Sequence, residues 1–450
     1  MQLIDLYPLR DEKTVLKNPH KGWYWHYIDC GYHRPRYRDR DDLIGDAAAF
    51  PGLNQLYLRF DWADINPKKG VYDFSYLDEI MDEWGEKGYV FSMRMCTFQN
   101  ENRRWDNNQN SSPAWIHEEA GAKGYFYEIH DILDPSIKYE GTSWEPDYGD
   151  DIFMGYVGEA LMRLGEKYGH DPRLEYFDVG TFGRFGEGHT RNRKYSEAEL
   201  RRHIDVTRAA FPDKLVLVND DMLRHNPAAT ASLTDYCVKN GVGIRDDSIC
   251  VNGVARGFPT YDTLRDPKLF DPFVDRFPVD IEFAHGELID ADVWKGGFPA
   301  MDSLRRTKCT YAGFHDYPGR FLENNYWFAE YCANRLGYWY RPDALYLDAH
   351  GGSITVYNLG WAPSYRDYTL KLILQKDDGT ELDMGKIAGS ACMKELCATT
   401  CSFTFDTPIA PGNYGVVLTM LDENGAPIKM ALDAKCETNG RYAVGKITIE

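Results

Sequence analysis

No apolar run in this chain is long enough to cross a bilayer, so no membrane-spanning helix is expected. The opening Met-Gln-Leu-Ile-Asp-Leu-Tyr-Pro has neither a basic start nor an apolar stretch, and no signal peptide is visible. Positive charge is scarce: 51 Lys and Arg stand against 70 Asp and Glu, for a net charge of −19. That balance argues against nucleic acid and anionic membrane surfaces as partners. The ten cysteines form no disulfide framework, and the chain reads as a cytoplasmic protein with reduced thiols. Their one cluster, Cys392, Cys397 and Cys401, lacks the two-residue spacing usual for a zinc site. Internal repeats and low-complexity tracts are absent. So is a phosphate-binding glycine fingerprint after the first strand, which argues against an open doubly wound sheet.

What is present is a globular chain with a large core: 450 residues, 43% hydrophobic and 14% aromatic. That length is too great for one ordinary core, and suits a barrel of roughly 250–340 residues followed by a domain of about 100. Strand and helix patterns alternate from about residue 20 to about residue 340. The strand candidates are Gly22–His26, Gln55–Phe60, Tyr89–Met95, Leu174–Val179, Leu215–Asn219, Val242–Asp246, Val279–Phe283 and Thr310–Phe314. Between them, Ser75–Trp84 repeats apolar residues at helical spacing behind a capping Ser, and Ser196-Glu-Ala-Glu199 is a capping box. Eight such alternations predict an α/β fold, a (β/α)8 TIM barrel over residues 1–341. From residue 342 to 450 the pattern changes to short alternating strands, such as Ser353–Tyr357 and Thr369–Leu374. Turn signals separate them, and a small antiparallel β-sandwich is expected.

Parity along the strands sorts side chains between barrel interior and helix layer. Leu56, Leu58 and Phe60 share one face of strand two, which turns Arg59 inward. The same reasoning turns Arg94 of strand three and Glu282 of strand seven inward, near the carboxyl ends where barrel active sites sit. Asp178 and Asp280 lie deeper and read as members of a structural ion-pair network. Other strand ends offer Trp23 and His26, Asn219 with Asp220 and Asp221, Asp246 with Asp247, and His315 as substrate-positioning residues. A long insertion, about residues 97–150, is rich in aromatics that include Trp105 and Trp144. It reads equally as a wall of a sugar site or as a self-packed surface subdomain.

One stretch stands apart, Asp178-Val-Gly-Thr-Phe-Gly-Arg-Phe-Gly-Glu-Gly-His189. Past a strand end, four glycines surround one carboxylic acid, Glu187, with His189 close behind. Glycine lets backbone pass where a side chain would not fit, which is one way to present an acid to a substrate. A glycine-rich turn with a solvated Glu explains the stretch equally well when taken alone.

Trp62-Ala-Asp-Ile-Asn-Pro67-Lys-Lys-Gly70-Val-Tyr72-Asp-Phe74 resembles the second-strand signature of clan A barrel glycoside hydrolases, with Asn66 where Glu often precedes the Pro. Asn18-Pro-His-Lys-Gly22-Trp-Tyr24, Gly183–His189 and Asn358-Leu-Gly-Trp-Ala-Pro363 resemble a poorly characterised group of such barrels with a C-terminal sandwich. The resemblance implies a glycosidase with a carbohydrate substrate and no cofactor or metal. It places the general acid/base after strand four, at Glu187, and the nucleophile after strand seven, at Glu282. Glu287 in His285-Gly-Glu287 is the rival for the second role. Clan A usually has Asn before the acid/base, and here Gly186 stands there. The glycine-rich acid loop also looks like that of β-amylases, which invert, so retention and inversion both stay open. A non-catalytic carbohydrate-binding barrel and a metal-dependent barrel enzyme are the other classes. The second would favour a His-rich set at the strand ends, where His26, His189 and His315 are scattered. Homo-oligomerisation is compatible with the sequence and not specified by it.

Overall fold

The computed structural model describes residues 1–29, 43–99, 110–130, 136–191, 193–250, 266–285, 289, 291–315 and 317–450. Its centre is a closed ring of eight parallel strands. In chain order they are β1 (Gly22–Asp29), β2 (Leu53–Asp61), β3 (Val90–Cys96), β4 (Leu174–Asp178), β5 (Leu215–Asn219), β6 (Val242–Ile249), β7 (Val279–Phe283) and β8 (Cys309–Phe314). β8 pairs with β1 as β1 pairs with β2, so the ring leaves no edge open. The expected (β/α)8 barrel is the fold of this chain.

Alternation within the strands explains the layering. Leu56, Leu58, Phe91, Met93, Ile281 and Phe283 face outward into one buried cluster shared with the surrounding helices. The helix Ser75–Gly85 contributes Leu77, Ile80, Met81 and Trp84 to that cluster. Its opening differs from the expected one: Phe74 occupies the cap position, and the backbone N–H of Ser75 donates to Asp73 at 2.9 Å. The second capping motif forms as expected. Ser196 accepts from the N–H of Glu199, and Glu199 reaches back to the N–H of Ser196 at 2.7 Å. Among the described residues, no helix is long and apolar enough to cross a membrane.

Antiparallel strands follow the barrel: β9 (Tyr340–Asp348), β10 (Gly351–Asn358), β11 (Thr369–Gln375), β12 (Glu381–Gly389), β13 (Cys397–Thr404), β14 (Gly412–Leu421), β15 (Glu437–Thr438) and β16 (Arg441–Ile449). One sheet runs β12-β11-β14-β16-β15; the other holds β9, β10 and β13. Leu370, Leu372 and Leu374 alternate inward, and a second apolar core lies between the sheets. The strand Gln2–Asp5 pairs antiparallel with β9, with Gln2 opposite Leu347. A division that gives residues 1–341 to the barrel therefore misplaces the first strand, which completes a sheet of the sandwich. The two parts are tied by short bonds. Asn18 Oδ1 accepts from the N–H of Lys429 at 2.8 Å, and Tyr365 donates to the carbonyl of Val274 at 2.7 Å.

The described part of the long insertion folds as a short helix, Trp115–Glu118, and an antiparallel hairpin, Gly124–His130 with Lys138–Pro146. Ser143 donates to the carbonyl of Gln99, and Gln99 donates to Asp61 at the end of β2 at 3.1 Å. These bonds fix the hairpin at the carboxyl end of the barrel.

Candidate active site

The loop after β4 carries Glu187 over the barrel mouth. The turn is tight enough to require glycine. Gly183, Gly186 and Gly188 all have positive φ, and a Cβ on Gly188 would lie 2.2 Å from the backbone nitrogen of Met222. Phe185, also at positive φ, donates its N–H to the carbonyl of Phe98 at 2.8 Å, while its own carbonyl accepts from Arg94 at 3.3 Å. The loop is thus pinned to the end of β3, and the Glu187 carboxylate comes down beside two guanidiniums. Arg59 Nη1 donates to Glu187 Oε1 at 2.5 Å, and Arg94 Nη1 stands 3.8 Å away.

Glu282 rises from β7 on the inward face that strand parity predicts. Arg245 of β6 donates to its Oε2, His26 Nε2 stands 3.2 Å from the same oxygen, and His315 Nε2 lies 2.6 Å from Oε1. His315 stacks between His26 and His285, with ring centroids 4.0 and 3.7 Å away. Its Nδ1 is 3.3 Å from Asp29, which also holds Arg59 through a 2.8 Å bond from Nε. Asp247 adds a third carboxylate, 2.8 Å from Arg245 and 3.4 Å from Arg94. One oxygen each of Glu187, Asp247 and Glu282 lie within 4.8 Å of one another. These three could offer oxygens to a cation, as could His26, Asp29 and His315 together. In the first group guanidiniums already hold the carboxylates, and their charge opposes a cation there.

The surroundings push the two Glu residues in opposite directions. Burial, with Asp247 and Glu282 nearby, raises the Glu187 carboxyl to about 8, against the pull of Arg59 and Arg94. Burial would raise Glu282 as well, but His26, His315 and Arg245 outweigh it and hold that carboxyl well below its usual range. Burial, with His315 beside it, takes His26 down to about 3. Burial also opposes charge on His315, yet Glu282 and Asp29 raise it. At neutral pH the mouth therefore presents a protonated Glu187 opposite an ionised Glu282, the separation of roles expected of an acid and a nucleophile or base.

The structure sorts the other sequence candidates. His26, Arg59, Arg94 and His315 meet at the mouth. Trp23 does not: it faces the helices, donates to the carbonyl of Ala329 at 3.0 Å and packs on Phe50, Phe283 and Phe328. Asp246 lies on the outward side of β6, where its charge acts on Cys250, and its neighbours Arg245 and Asp247 point inward. Asn219 continues the inward face of Leu217. Its Oδ1 caps the short helix Asp220–Arg224 by accepting from the N–H of Asp221 at 2.9 Å. Its buried Nδ2 has no partner among the described residues. Asp220 is held by Arg224 at 2.6 Å, and His189 is half-exposed with Nδ1 3.7 Å from Asp221. Trp105 and Glu287 lie outside the described residues.

Arg245, Asp29 and His285 were not singled out from sequence. Alternation from Ile244 would have turned Arg245 inward. Asp29 was hidden by a register shift between His26 and Ile28, which brings His26 and Asp29 to the same side of β1 although they are three residues apart.

The Glyco_hydro_42 family model, described as beta-galactosidase, matches residues 51–181. That segment runs from β2 through β4, includes Arg59 and Arg94, and stops short of Glu187. The chain is similar to beta-galactosidase BbgII of Bifidobacterium bifidum, 25% identical over 120 residues, covering 27% of this chain and 15% of that protein. Among solved structures, a beta-galactosidase from Halorubrum lacusprofundi is 14% identical with a TM-score of 0.42, covering 69% of this chain and 57% of that one. TsXylA, an intracellular xylanase from Thermoanaerobacterium saccharolyticum, is 15% identical with a TM-score of 0.39, covering 65% of this chain and 86% of that one. The family match and the closed parallel barrel bear out the resemblance to a clan A-like (β/α)8 glycoside hydrolase.

Proposed function

We propose that this clan A-like barrel is a glycosidase that cleaves an O-glycosidic bond of an oligosaccharide or glycoside with two Glu residues and retention of configuration. The observation that carries the reading is the pair itself. Glu187 and Glu282 bring carboxylate oxygens within 4.8 Å of each other across the mouth, one biased toward its acid form and one toward its anion. Retaining enzymes hold their carboxyls about 5–5.5 Å apart, whereas inverting ones leave about 6.5–9.5 Å for a water. The spacing here favours retention.

In this mechanism Glu187 gives its proton to the leaving oxygen while Glu282 attacks the anomeric carbon. A covalent glycosyl-enzyme forms and the aglycone departs as an alcohol. Glu187, now ionised, takes a proton from water as that water displaces Glu282 and releases the sugar. Arg245, His26 and His315 stabilise the Glu282 anion before attack and when it leaves. Arg59 and Arg94 hold Glu187 over the bond and stabilise the negative charge it carries after proton transfer.

The hairpin strands Gly124–His130 and Lys138–Pro146 border this site. Arg193 lies 3.1 Å from the centre of the Tyr125 ring, which joins the hairpin to the loop that carries Glu187. Trp144 is buried against His117, a structural position, so sugar-facing contacts would come from other aromatics of the insertion.

The matched family model is named for beta-galactosidase. Aryl β-galactosides therefore head a panel of aryl glycosides assayed with and without chelator. Turnover of at least one, unaffected by chelator and abolished in Glu187→Gln with a poor leaving group, supports the reading. No turnover across the panel despite measurable sugar binding would support a carbohydrate-binding barrel instead.

A further inference from the structure

Far from the barrel mouth, two thiols meet on the sandwich. Cys392 ends the short turn Ser390–Cys392 that follows β12, and Cys401 sits within β13 opposite Ile354 of β10. Their sulfurs are 3.1 Å apart, inside van der Waals contact, and no bond joins them. Cys392 is exposed and Cys401 half-buried, so a soluble oxidant can reach the pair from the Cys392 side. A second bond already holds the same two segments together, from Thr399 Oγ1 to the carbonyl of Cys392 at 3.1 Å.

The place of the pair gives it a consequence. β12 and β13 are edge strands of the two different sheets, and residues 390–396 are the crossing between them. That crossing is anchored on both sides. Met393 is buried in the sandwich core, and Glu395 pairs with Lys308, just before β8 of the barrel, at 2.6 Å. A covalent link from Cys392 to Cys401 would fasten the crossing to an edge strand at the seam of barrel and sandwich.

We propose that Cys392 and Cys401 form a reversible disulfide by exchange with a low-molecular-weight disulfide such as oxidised glutathione. The thiolate of Cys392, having given its proton to solvent, attacks one sulfur of the glutathione disulfide. It displaces one glutathione thiolate, which takes up a proton. Cys401, losing its proton in turn, attacks Cys392 in the mixed disulfide and displaces the second glutathione. Two protein thiols become one disulfide while one small disulfide becomes two thiols. Burial pushes the Cys401 thiol up to about 11, which makes it the poorer first attacker, and the 3.1 Å contact is what brings it to Cys392 in the second, intramolecular step. Exposed Cys397 donates to the carbonyl of Lys394 at 3.5 Å and takes no part.

The test is to equilibrate the full chain with oxidised and reduced glutathione, alkylate the remaining thiols, digest with trypsin and read the masses. Cleavage after Lys386, Lys394 and Lys429 separates Cys392 from a peptide with Cys397 and Cys401, so the experiment is repeated in Cys397→Ser. The expected result is a loss of two alkylatable thiols, a linked peptide pair 387–394 with 395–429 that survives Cys397→Ser, and its release by reductant. In Cys401→Ser the expected product is a glutathione adduct at Cys392 that persists. Full alkylation of Cys392 and Cys401 under oxidising ratios would overturn the proposal. So would a linked pair lost in Cys397→Ser, or a persistent mixed disulfide at Cys392 in the unaltered chain.

Discussion

The lower and upper halves of the barrel interior are built from the same inward faces of the same strands, yet they are filled in different ways. Toward the amino ends, Tyr24, Tyr57, Tyr176, Tyr311 and Leu217 form a plug of rings. Three of the hydroxyls are spent on fixed carboxylates: Tyr57 donates to Asp178, Tyr176 to Asp280 at 2.6 Å and Tyr311 to Glu175 at 3.2 Å. Gly313 keeps the ring of Tyr24 in place, since a Cβ there would lie 2.0 Å from it. Toward the carboxyl ends the rings give way to Arg59, Arg94 and Arg245 with Asp29, Asp247, Glu187 and Glu282. Asp178 marks the border. It accepts from Tyr57 below and from Arg245 at 2.5 Å above. Carboxylates in the lower half accept mainly from Tyr and His rings: Glu175 from Tyr311 and, at 2.7 Å, His20, and Asp280 from Tyr176 with Arg245 3.6 Å away. Groups in the upper half share partners across strands, and that sharing sets two carboxyls to opposite protonation states. Buried charge is costly, and its concentration at one end of the barrel marks the candidate site.

The comparison breaks most visibly at Glu187. Glu187→Gln is expected to lower kcat on glycosides with poor leaving groups by about 10²–10⁴-fold, the usual worth of a positioned acid. The loss should be far smaller for glycosylation by substrates with very good leaving groups. Equal loss on both would remove Glu187 from that role. Tyr176→Phe, in the lower half, should leave these rates unchanged.

Stability gives the next contrast. Arg245→Met removes the cation shared by Asp178, Asp247 and Glu282, and chemical denaturation should show a loss of about 3–5 kcal/mol. Tyr176→Phe deletes one hydrogen bond, and the same measurement should show about 1 kcal/mol. Similar costs for the two would mean that the upper cluster is no more coupled than the lower plug.

The smallest effects are shifts along the pH axis. The Glu187 carboxyl stands at about 8 in the folded chain, above its unfolded value near ~4.3. The folded state therefore keeps a proton that the unfolded state gives up. The associated stability is full below the unfolded value and is lost as pH rises toward about 8. Activity should fall through the same upper range as the acid deprotonates. Asp247 is one of the groups that raise Glu187, so Asp247→Asn should move the basic limb to lower pH. An unmoved limb would show that Asp247 does not contribute and that burial and Glu282 set it.

Much of this was legible in the sequence, for a physical reason. Regular strands obey parity, so Arg59, Arg94 and Glu282 could be turned inward from their apolar neighbours alone. The glycine-rich loop announced Glu187 because a Cβ at Gly183, Gly186 or Gly188 would collide with backbone. What was not legible sits where alternation is interrupted. The register shift in β1 conceals Asp29. Ser248 near the end of β6 and Cys250 just beyond it take positive φ, and the pairing with β7 shifts register there. Strand-end position alone selected Asp246, whereas the side chains that reach the interior belong to Arg245 and Asp247. Trp23 was misplaced because it lies at the amino end of β1, away from the mouth, and its parity assigns it to the helix layer. Asn219 and Asp220 begin a short helix that apolar periodicity is too brief to reveal.

The most direct measurement is to trap the glycosyl-enzyme. Incubation with a 2-fluoro glycoside of the sugar the enzyme turns over, followed by tryptic digestion and fragmentation, locates the covalent bond. The peptide from Phe277 to Lys295 contains both Glu282 and Glu287, so fragmentation must resolve them. A sugar attached to Glu282 is the predicted result. A sugar attached to Glu287, or continued turnover with inversion and no adduct, would contradict the assignment of Glu187 and Glu282 as the working pair.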